Sequence, residues 1–217
     1  MVPGLIPQKD GSFAISIELP EGKISAEILK ALARLAEEGA FVHPTTAQKV
    51  MILGLANEET AVKALRDLEE AGARIRKSGK SLQPRTCVGL PWCKLALQET
   101  FPLALAIYEA FPQEELPHKF KIGVAGCPAC CSWANVLDLG FVGVRGGFKV
   151  YLGGKGGYKT KEGLYLTKVE TIEEALDLTR RILDLFKARG AKKKRFATVV
   201  SKMSPEELAE ALRISTT

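Results

Sequence analysis

Two cysteine-containing stretches carry the most information in this sequence: residues 86–93, TCVGLPWC, and residues 126–131, GCPACC. All five cysteines of the chain lie within them. Glycine and proline in both stretches let the backbone turn sharply, so each is expected to form a loop. A cubane iron–sulfur cluster requires four soft thiolates that converge, and two such loops can supply them. The sequence therefore predicts a fold that brings these loops together around a 4Fe-4S cluster.

Cysteines can also form disulfides, fill a core or bind zinc. A disulfide framework is disfavoured because five is an odd number and residues 1–13 lack the features of a secretory signal. Buried free cysteines are common, but these lie in loops rather than on apolar faces. Tetrahedral zinc also binds four thiolates, although its ligand pairs usually stand two to four residues apart, and five residues separate Cys87 from Cys93. Zinc is disfavoured and stays an alternative.

The composition indicates a globular protein. Of the 217 residues, 46% are hydrophobic, and no run approaches the roughly 18 to 20 apolar residues of a membrane span. We expect a cytoplasmic protein. The net charge is +6, but only 7% of residues are aromatic and none interleave with the basic stretches, so nucleic acid binding is not expected. The basic run Ala191–Arg195 is typical of a solvated helix end.

Hydrophobic periodicity predicts an α+β fold in two parts. Residues 13–19 and 49–55 are predicted strands, and each is followed by an amphipathic helix, with Ser25 and Asn57 as the N-caps. The first domain is predicted over residues 1–77 and the second over residues 78–217, because a polar, glycine-containing linker lies near 77–84. In the second domain the pattern predicts these elements: helix 94–110, strands 121–125, 141–144 and 149–152, helix 171–187, and a short helix from Ser204.

The cysteine stretches resemble those of the siroheme-dependent sulfite and nitrite reductases. That family has a Thr-Cys-x-Gly-x-x-x-Cys loop and, downstream, a Gly-Cys-Pro loop with three residues between its cysteines; residues 86–93 and 126–131 match both. The stretch Leu116–Lys121 and the segments 138–143 and 151–155 also have counterparts in the family. The resemblance covers essentially the whole chain. It implies a ferredoxin-like half-domain followed by an α+β domain that binds a 4Fe-4S cluster and siroheme.

The resemblance also implies roles for individual residues. The cluster ligands would be Cys87, Cys93, Cys127 and Cys131, and Cys131 would also bridge to the siroheme iron, leaving Cys130 spare. Lys119 and Lys121 would face the anionic substrate, and period two would put both on one face of a strand. Siroheme carries eight carboxylates, which basic residues neutralise. The residues expected to border siroheme are Thr45, Thr46, Gln48, Arg85, Arg145 and Lys155.

The implied function is multi-electron reduction of sulfite or nitrite, with electrons from an acidic ferredoxin-like donor. The alternative is a non-catalytic redox or tetrapyrrole-binding protein. Ala47, Ser16 and Glu18 favour the alternative, because they stand where the larger reductases have basic residues. Those reductases contain this two-domain unit twice, so we expect a homodimer, or else a monomer in which residues 1–12 cover the exposed sheet edge.

Overall fold

The structure is a computed structural model that describes residues 2–77 and 81–214. The chain divides into two compact units, residues 1–79 and 80–217. The predicted linker falls partly on residues 78–80, which lie outside the described residues. Each unit contains both helices and strands, which confirms the predicted α+β class.

The first unit is an antiparallel sheet packed against two helices. Its sheet has the order β1-β2-β4-β3, and β5 pairs with the end of β2. The core lies between the sheet and the apolar faces of the helices, where Ile15, Ile17 and Ile52 meet Leu32 and Leu68. The elements are β1 (Leu5–Pro7), β2 (Phe13–Glu18), α1 (Ala26–Glu37), β3 (Phe41–Pro44), β4 (Lys49–Leu55), α2 (Glu58–Glu70) and β5 (Arg74–Ile75).

Both predicted N-caps of this unit are confirmed. The Ser25 hydroxyl accepts a hydrogen bond from the backbone N–H of Ile28 at 3.2 Å, and Asn57 Oδ1 accepts one from Thr60 N–H at 2.9 Å. Three strands were absent from the sequence prediction: β1, β3 and β5. They have three, four and two residues, so each is too short to show an alternating pattern.

The second unit has a mixed sheet of order β10-β9-β8-β7-β6. Strands β6, β7 and β8 are parallel, while β8, β9 and β10 are antiparallel. Three phenylalanine rings, Phe120, Phe186 and Phe196, pack in the core with centroids 5.2 to 5.8 Å apart. The elements are β6 (Arg85–Thr86), α3 (Phe101–Ala110), β7 (Ile122–Ala125), a 3-10 helix (Ala134–Val136), β8 (Leu139–Val144), β9 (Gly147–Leu152), β10 (Leu164–Val169), α4 (Ile172–Arg189), α5 (Phe196–Val200) and α6 (Pro205–Ala211).

Helix α3 begins at Phe101, not near Lys94 as predicted. The backbone N–H groups of Leu97 and Gln98 donate to the carbonyl of Gly126 at 2.7 and 3.1 Å, so they are not available to a helix. Strands β6 and β10 and helix α5 were also not predicted.

Across residues 2–77 and 81–214, no helix combines the length and the apolar character needed to cross a membrane.

Candidate functional site

The sheet of the second unit explains why the two cysteine loops lie side by side. Strands β6 and β7 are parallel neighbours, with Thr86 opposite Val124. The carboxyl ends of parallel strands lie at the same edge of a sheet. Cys87 directly follows β6, and Gly126 and Cys127 directly follow β7, so both loops start at that edge. The Cys87 N–H donates to the Val124 carbonyl at 3.2 Å and extends the pairing into the loop.

The two loops are also in direct contact. The Gly126 N–H donates to Cys87 Sγ at 3.1 Å. A Cβ on Gly126 would lie 3.1 Å from both the Gln98 carbonyl oxygen and the Cα of Gly89, and a Cβ on Gly143 would lie 2.4 Å from the Gly126 carbonyl oxygen. Glycine at 126 and 143 therefore lets backbone from three segments pack together beside the thiols.

Cys130 and Cys131 have different surroundings. Cys131 is exposed. Cys130 is half-buried beside Ala125, Ala134 and Val142, and its Sγ lies 3.3 Å from Asn135 Oδ1 and 3.4 Å from the Asn135 N–H. Burial raises the pKa of the Cys130 thiol. The two adjacent thiols therefore have different environments.

Within the described ranges, no three Cys, His, Asp or Glu side chains group closely enough to hold a single metal ion. A cubane cluster distributes its four thiolates over four iron atoms, so its ligands stand further apart than those of one zinc ion.

Two of the predicted basic residues, Arg85 and Lys121, lie within electrostatic range of each other, and Arg85 is two residues before Cys87. Arg85, in β6, has its guanidinium 5.5 Å from the ring centroid of Trp133, and burial lowers its pKa. Burial also lowers the pKa of Lys121, and the positive charges of Arg85, Arg195 and Lys119 lower it further. Mutual effects of this kind mean that these cations lie within electrostatic range of one another.

The prediction that Lys119 and Lys121 share one face of a strand is wrong, because β7 begins at Ile122 and both lysines precede it. The Lys121 N–H donates to Asp138 Oδ2 at 2.8 Å instead of joining the sheet. Lys119 is exposed and Lys121 is half-buried. The two lysines are close enough for the charge of Lys119 to lower the pKa of Lys121, but they do not lie on one face of a strand.

Sequence reasoning missed Asp138 and misread Arg195. Asp138 is fully buried, and Arg195 Nη2 lies 2.6 Å from its Oδ2, so Arg195 is not part of a solvated helix end. A signal for Asp138 was present, since it is the only charged residue between Trp133 and Val144. Its partner could not be recognised, because the two residues lie 57 positions apart.

Arg145 and Lys155 are both exposed, in the β8–β9 turn and in the loop after β9. The Lys155 backbone exchanges two hydrogen bonds of 2.8 Å with Lys161, which closes that glycine-rich loop on itself. Among the described residues, neither side chain is seen to contact the cysteine loops. The proposed role of Arg145 and Lys155 therefore rests on the family resemblance alone.

Thr45, Thr46 and Gln48 belong to the first unit, where they form the turn between β3 and β4. The Thr45 N–H donates to the Lys49 carbonyl at 2.8 Å, and Gln48 adopts a positive φ of 55°. Nearby, Glu18 is buried and its carboxylate lies 2.6 Å from Lys49 Nζ. Burial lowers the pKa of Lys49, while Glu18 opposes the change.

Comparison with known proteins extends over both units. Residues 78–216 match the family described as "Nitrite and sulphite reductase 4Fe-4S domain", and residues 6–71 match "Nitrite/Sulfite reductase ferredoxin-like half domain". The two matches together confirm the predicted half-domain followed by a 4Fe-4S domain.

Individual relatives differ in length. The chain is 27% identical over 214 residues to "Sulfite reductase, assimilatory-type" of Nitratidesulfovibrio vulgaris, covering 96% of both chains. It is 31% identical over 183 residues to "Nitrite reductase [NAD(P)H]" of Bacillus subtilis, covering 83% of this chain but only 22% of that one. The structure of the Mycobacterium tuberculosis NirA protein matches 94% of this chain and 41% of its own, with a TM-score of 0.79 and 27% identity. Dissimilatory sulfite reductase I shares the fold with a TM-score of 0.81 at 12% identity, over 94% of this chain and 70% of its own.

Proposed function

Because the chain belongs to the nitrite and sulfite reductase family, we propose that it is a small reductase that converts sulfite to sulfide or nitrite to ammonia. The observation that carries this proposal is the pair of cysteine loops joined by the Gly126 N–H to Cys87 Sγ hydrogen bond. The similarity to a sulfite reductase of nearly the same length supports a reductase function for a chain of this size.

Four thiols are the proposed cluster ligands: Cys87, Cys93, Cys127 and Cys131. The fit is supported by the backbone around them. Gly126 donates an N–H to the Cys87 sulfur, as the thiolate ligands of a cluster require, and the glycines let the two cysteine loops approach each other closely. When bound, the cluster would supply electrons and siroheme the iron at which the anion is reduced. Cys131 is the proposed ligand to both groups, and its exposure supports that assignment.

The proposed role of the basic residues in catalysis is to stabilise the negative charge of the substrate. Arg85 lies two residues before Cys87, and Lys121, which precedes β7, lies within electrostatic range of Arg85 and of Lys119. Positive charge at this place binds an anionic substrate, and the lysine ammonium groups can donate protons during reduction. Thr45, Thr46, Gln48, Arg145 and Lys155 stay proposed siroheme contacts on the resemblance alone.

The distribution of charge supports an acidic electron donor. Residues 1–79 carry 10 Lys and Arg against 11 Asp and Glu, whereas residues 80–217 carry 21 against 14. The positive charge of the chain is therefore concentrated in the unit that holds the cysteines. An acidic donor would be attracted to that unit at low ionic strength.

A non-catalytic redox or tetrapyrrole-binding protein is the second candidate. The observation that favours it is Glu18, an acid at a position that is basic in the larger reductases, buried and paired with Lys49. Because Glu18 neutralises Lys49, the positive charge of that lysine is not available to bind an anion.

Two measurements separate the candidates. Visible absorption of the purified protein identifies a siroheme band or a cluster alone, and turnover with reduced viologen and sulfite or nitrite tests catalysis. We expect a siroheme band and turnover. Absence of turnover in protein that contains both groups would favour the non-catalytic candidate.

The proposed lysine roles are tested with Lys119→Met and Lys121→Met, with Lys63→Met on α2 as the control. Removal of either cation should lower kcat/KM for the anion by roughly tenfold, because each stabilises negative charge in the reaction. The control should match the parent. Parental rates in both site variants would show that the lysines are only solvated.

A further inference from the structure

Asp138 is a fully buried carboxylate that lies just before β8 and outside both cysteine loops. Its Oδ2 accepts hydrogen bonds from the Lys121 N–H at 2.8 Å and from Arg195 Nη2 at 2.6 Å, and its Oδ1 lies 3.3 Å from Arg195 Nε. One carboxylate therefore joins the guanidinium that precedes α5 to the main chain of a proposed anion-binding lysine.

The backbone of Asp138 joins a third segment. Its carbonyl accepts a hydrogen bond from the Gly153 N–H at 2.9 Å, at the start of the loop that carries Lys155. The Lys121 carbonyl in turn accepts from the Leu139 N–H at 3.2 Å. The main chain of Lys121 is thus fixed on both sides by residues 138 and 139.

The charges around Lys121 do not cancel. Arg85, Arg195 and Lys119 act on its ammonium as like charges, and Asp138 is the one opposing group identified among the described residues. That carboxylate is already engaged by Arg195. Burial raises the pKa of Asp138, and the charge of Arg195 opposes this effect. A surplus of positive charge at one place is a condition for binding an anion.

We infer that Asp138 and Arg195 are a positioning pair for Lys121: Asp138 fixes the Lys121 main chain, and Arg195 engages the Asp138 carboxylate, so that the Lys121 ammonium is not paired with that carboxylate and stays available to the incoming anion. This inference rests on the proposed role of Lys121 in anion reduction. It adds two residues to the site that act through Lys121.

The rate of lysine acetylation tests this arrangement without an activity assay. Acetic anhydride reacts only with the neutral amine, so the rate depends on how much of the Lys121 ammonium is deprotonated. Arg195→Gln removes a cation near Lys121 and leaves the Asp138 carboxylate unpaired, and both changes favour the charged ammonium. Acetylation of Lys121 by acetic anhydride at fixed pH, followed by peptide mass spectrometry, should slow by roughly twofold or more. Asp138→Asn keeps a side-chain oxygen for the Lys121 N–H but removes the negative charge, so acetylation of Lys121 should become faster.

The matched control is Arg180→Gln. Arg180 also pairs with a buried carboxylate of the same unit, Glu114, at 2.7 Å, and Lys187 remains to compensate that carboxylate. Its loss should leave the Lys121 acetylation rate unchanged. Opposite shifts in the two site variants support the inference, and rates equal to those of the control overturn it. If Arg195→Gln does not fold, Asp138→Asn decides alone, since a Lys121 rate that does not rise contradicts the inference.

Kinetics give a second readout. Arg195→Gln should raise KM for sulfite or nitrite by roughly tenfold with a smaller change in kcat, and Arg195→Lys should restore much of the loss because it returns the charge. A merely structural pair would lower the amount of folded enzyme without changing KM. If Lys121→Met reduces both anions at the parental rate, the proposed function of Lys121 fails, while the acetylation result still decides whether the pair controls Lys121.

Discussion

Cys130 and Cys131 are adjacent residues with the same side chain and different environments. The Cys130 backbone has a positive φ of 53°, and its thiol is engaged by Asn135, whereas Cys131 is exposed. A left-handed conformation at a non-glycine residue is uncommon and redirects the side chain relative to its neighbours. The local backbone thus separates two thiols that spacing alone leaves difficult to distinguish.

Substitution of each thiol by alanine should distinguish their roles. Cys130→Ala should retain roughly four irons per chain, because four-thiolate ligation of one cubane is preserved. Cys131→Ala should lose most of the iron after anaerobic reconstitution. Iron and acid-labile sulfide analysis measures both variants. Loss of the cluster in Cys130→Ala with retention in Cys131→Ala would reverse the assignment.

At the scale of elements, β8 packs its backbone against the second cysteine loop. Gly143 lies near the end of β8, and an added Cβ would meet the carbonyl oxygen and carbon of Gly126 at 2.4 and 2.6 Å. Backbone cannot withdraw as a flexible side chain can, so the strand or the loop has to move. The strand therefore fixes the position of the loop.

Gly143→Ala is predicted to destabilise the second unit by about 1–3 kcal/mol through overpacking, and to reduce cluster content. Gly156→Ala is the control, since its Cβ would make ordinary contacts at 3.7 and 3.9 Å with Val136. Denaturant unfolding and iron analysis test the pair of variants. Equal stability and iron content in both would show that the β8 contact does not support the loop.

Elements with local signals were predictable. Ser25 and Asn57 cap helices through bonds to residues three positions away, and glycine and proline mark the cysteine loops wherever they fold. The start of α3 was not predictable, because the bonds from Leu97 and Gln98 to Gly126 depend on tertiary structure. The pairing of Asp138 with Arg195 was hidden for the same reason.

At the scale of the whole molecule, the expected homodimer stays a prediction. In the first unit, β1 pairs with β2, so the N-terminal segment covers part of one sheet edge, as the monomer alternative supposes. Strand β3 forms the other edge of the path β1-β2-β4-β3, where Phe41 is 64% exposed and stacks on His43. An edge strand with an exposed aromatic ring favours pairing with another chain.

We therefore expect a dimer mass by light scattering at micromolar concentration with siroheme bound. Phe41→Glu should shift the mass toward the monomer, because it puts a charge at the proposed contact. Leu29→Glu on α1, also an exposed hydrophobic residue, is the control and should stay dimeric. A monomeric parent protein would contradict the expected homodimer.

Both tryptophans of the chain lie in the cysteine stretches or next to them: Trp92 precedes Cys93, and Trp133 follows Cys131 by two positions. Their intrinsic fluorescence is therefore an optical probe of this one region. An iron–sulfur cluster absorbs where indole emits, so emission should be weak in the loaded protein and rise as a chelator removes iron. Trp92→Phe and Trp133→Phe would assign the signal to each loop, and emission that ignores iron removal would contradict a cluster at this site. The fluorescence of the two single-tryptophan variants would thus follow cluster binding from each loop separately.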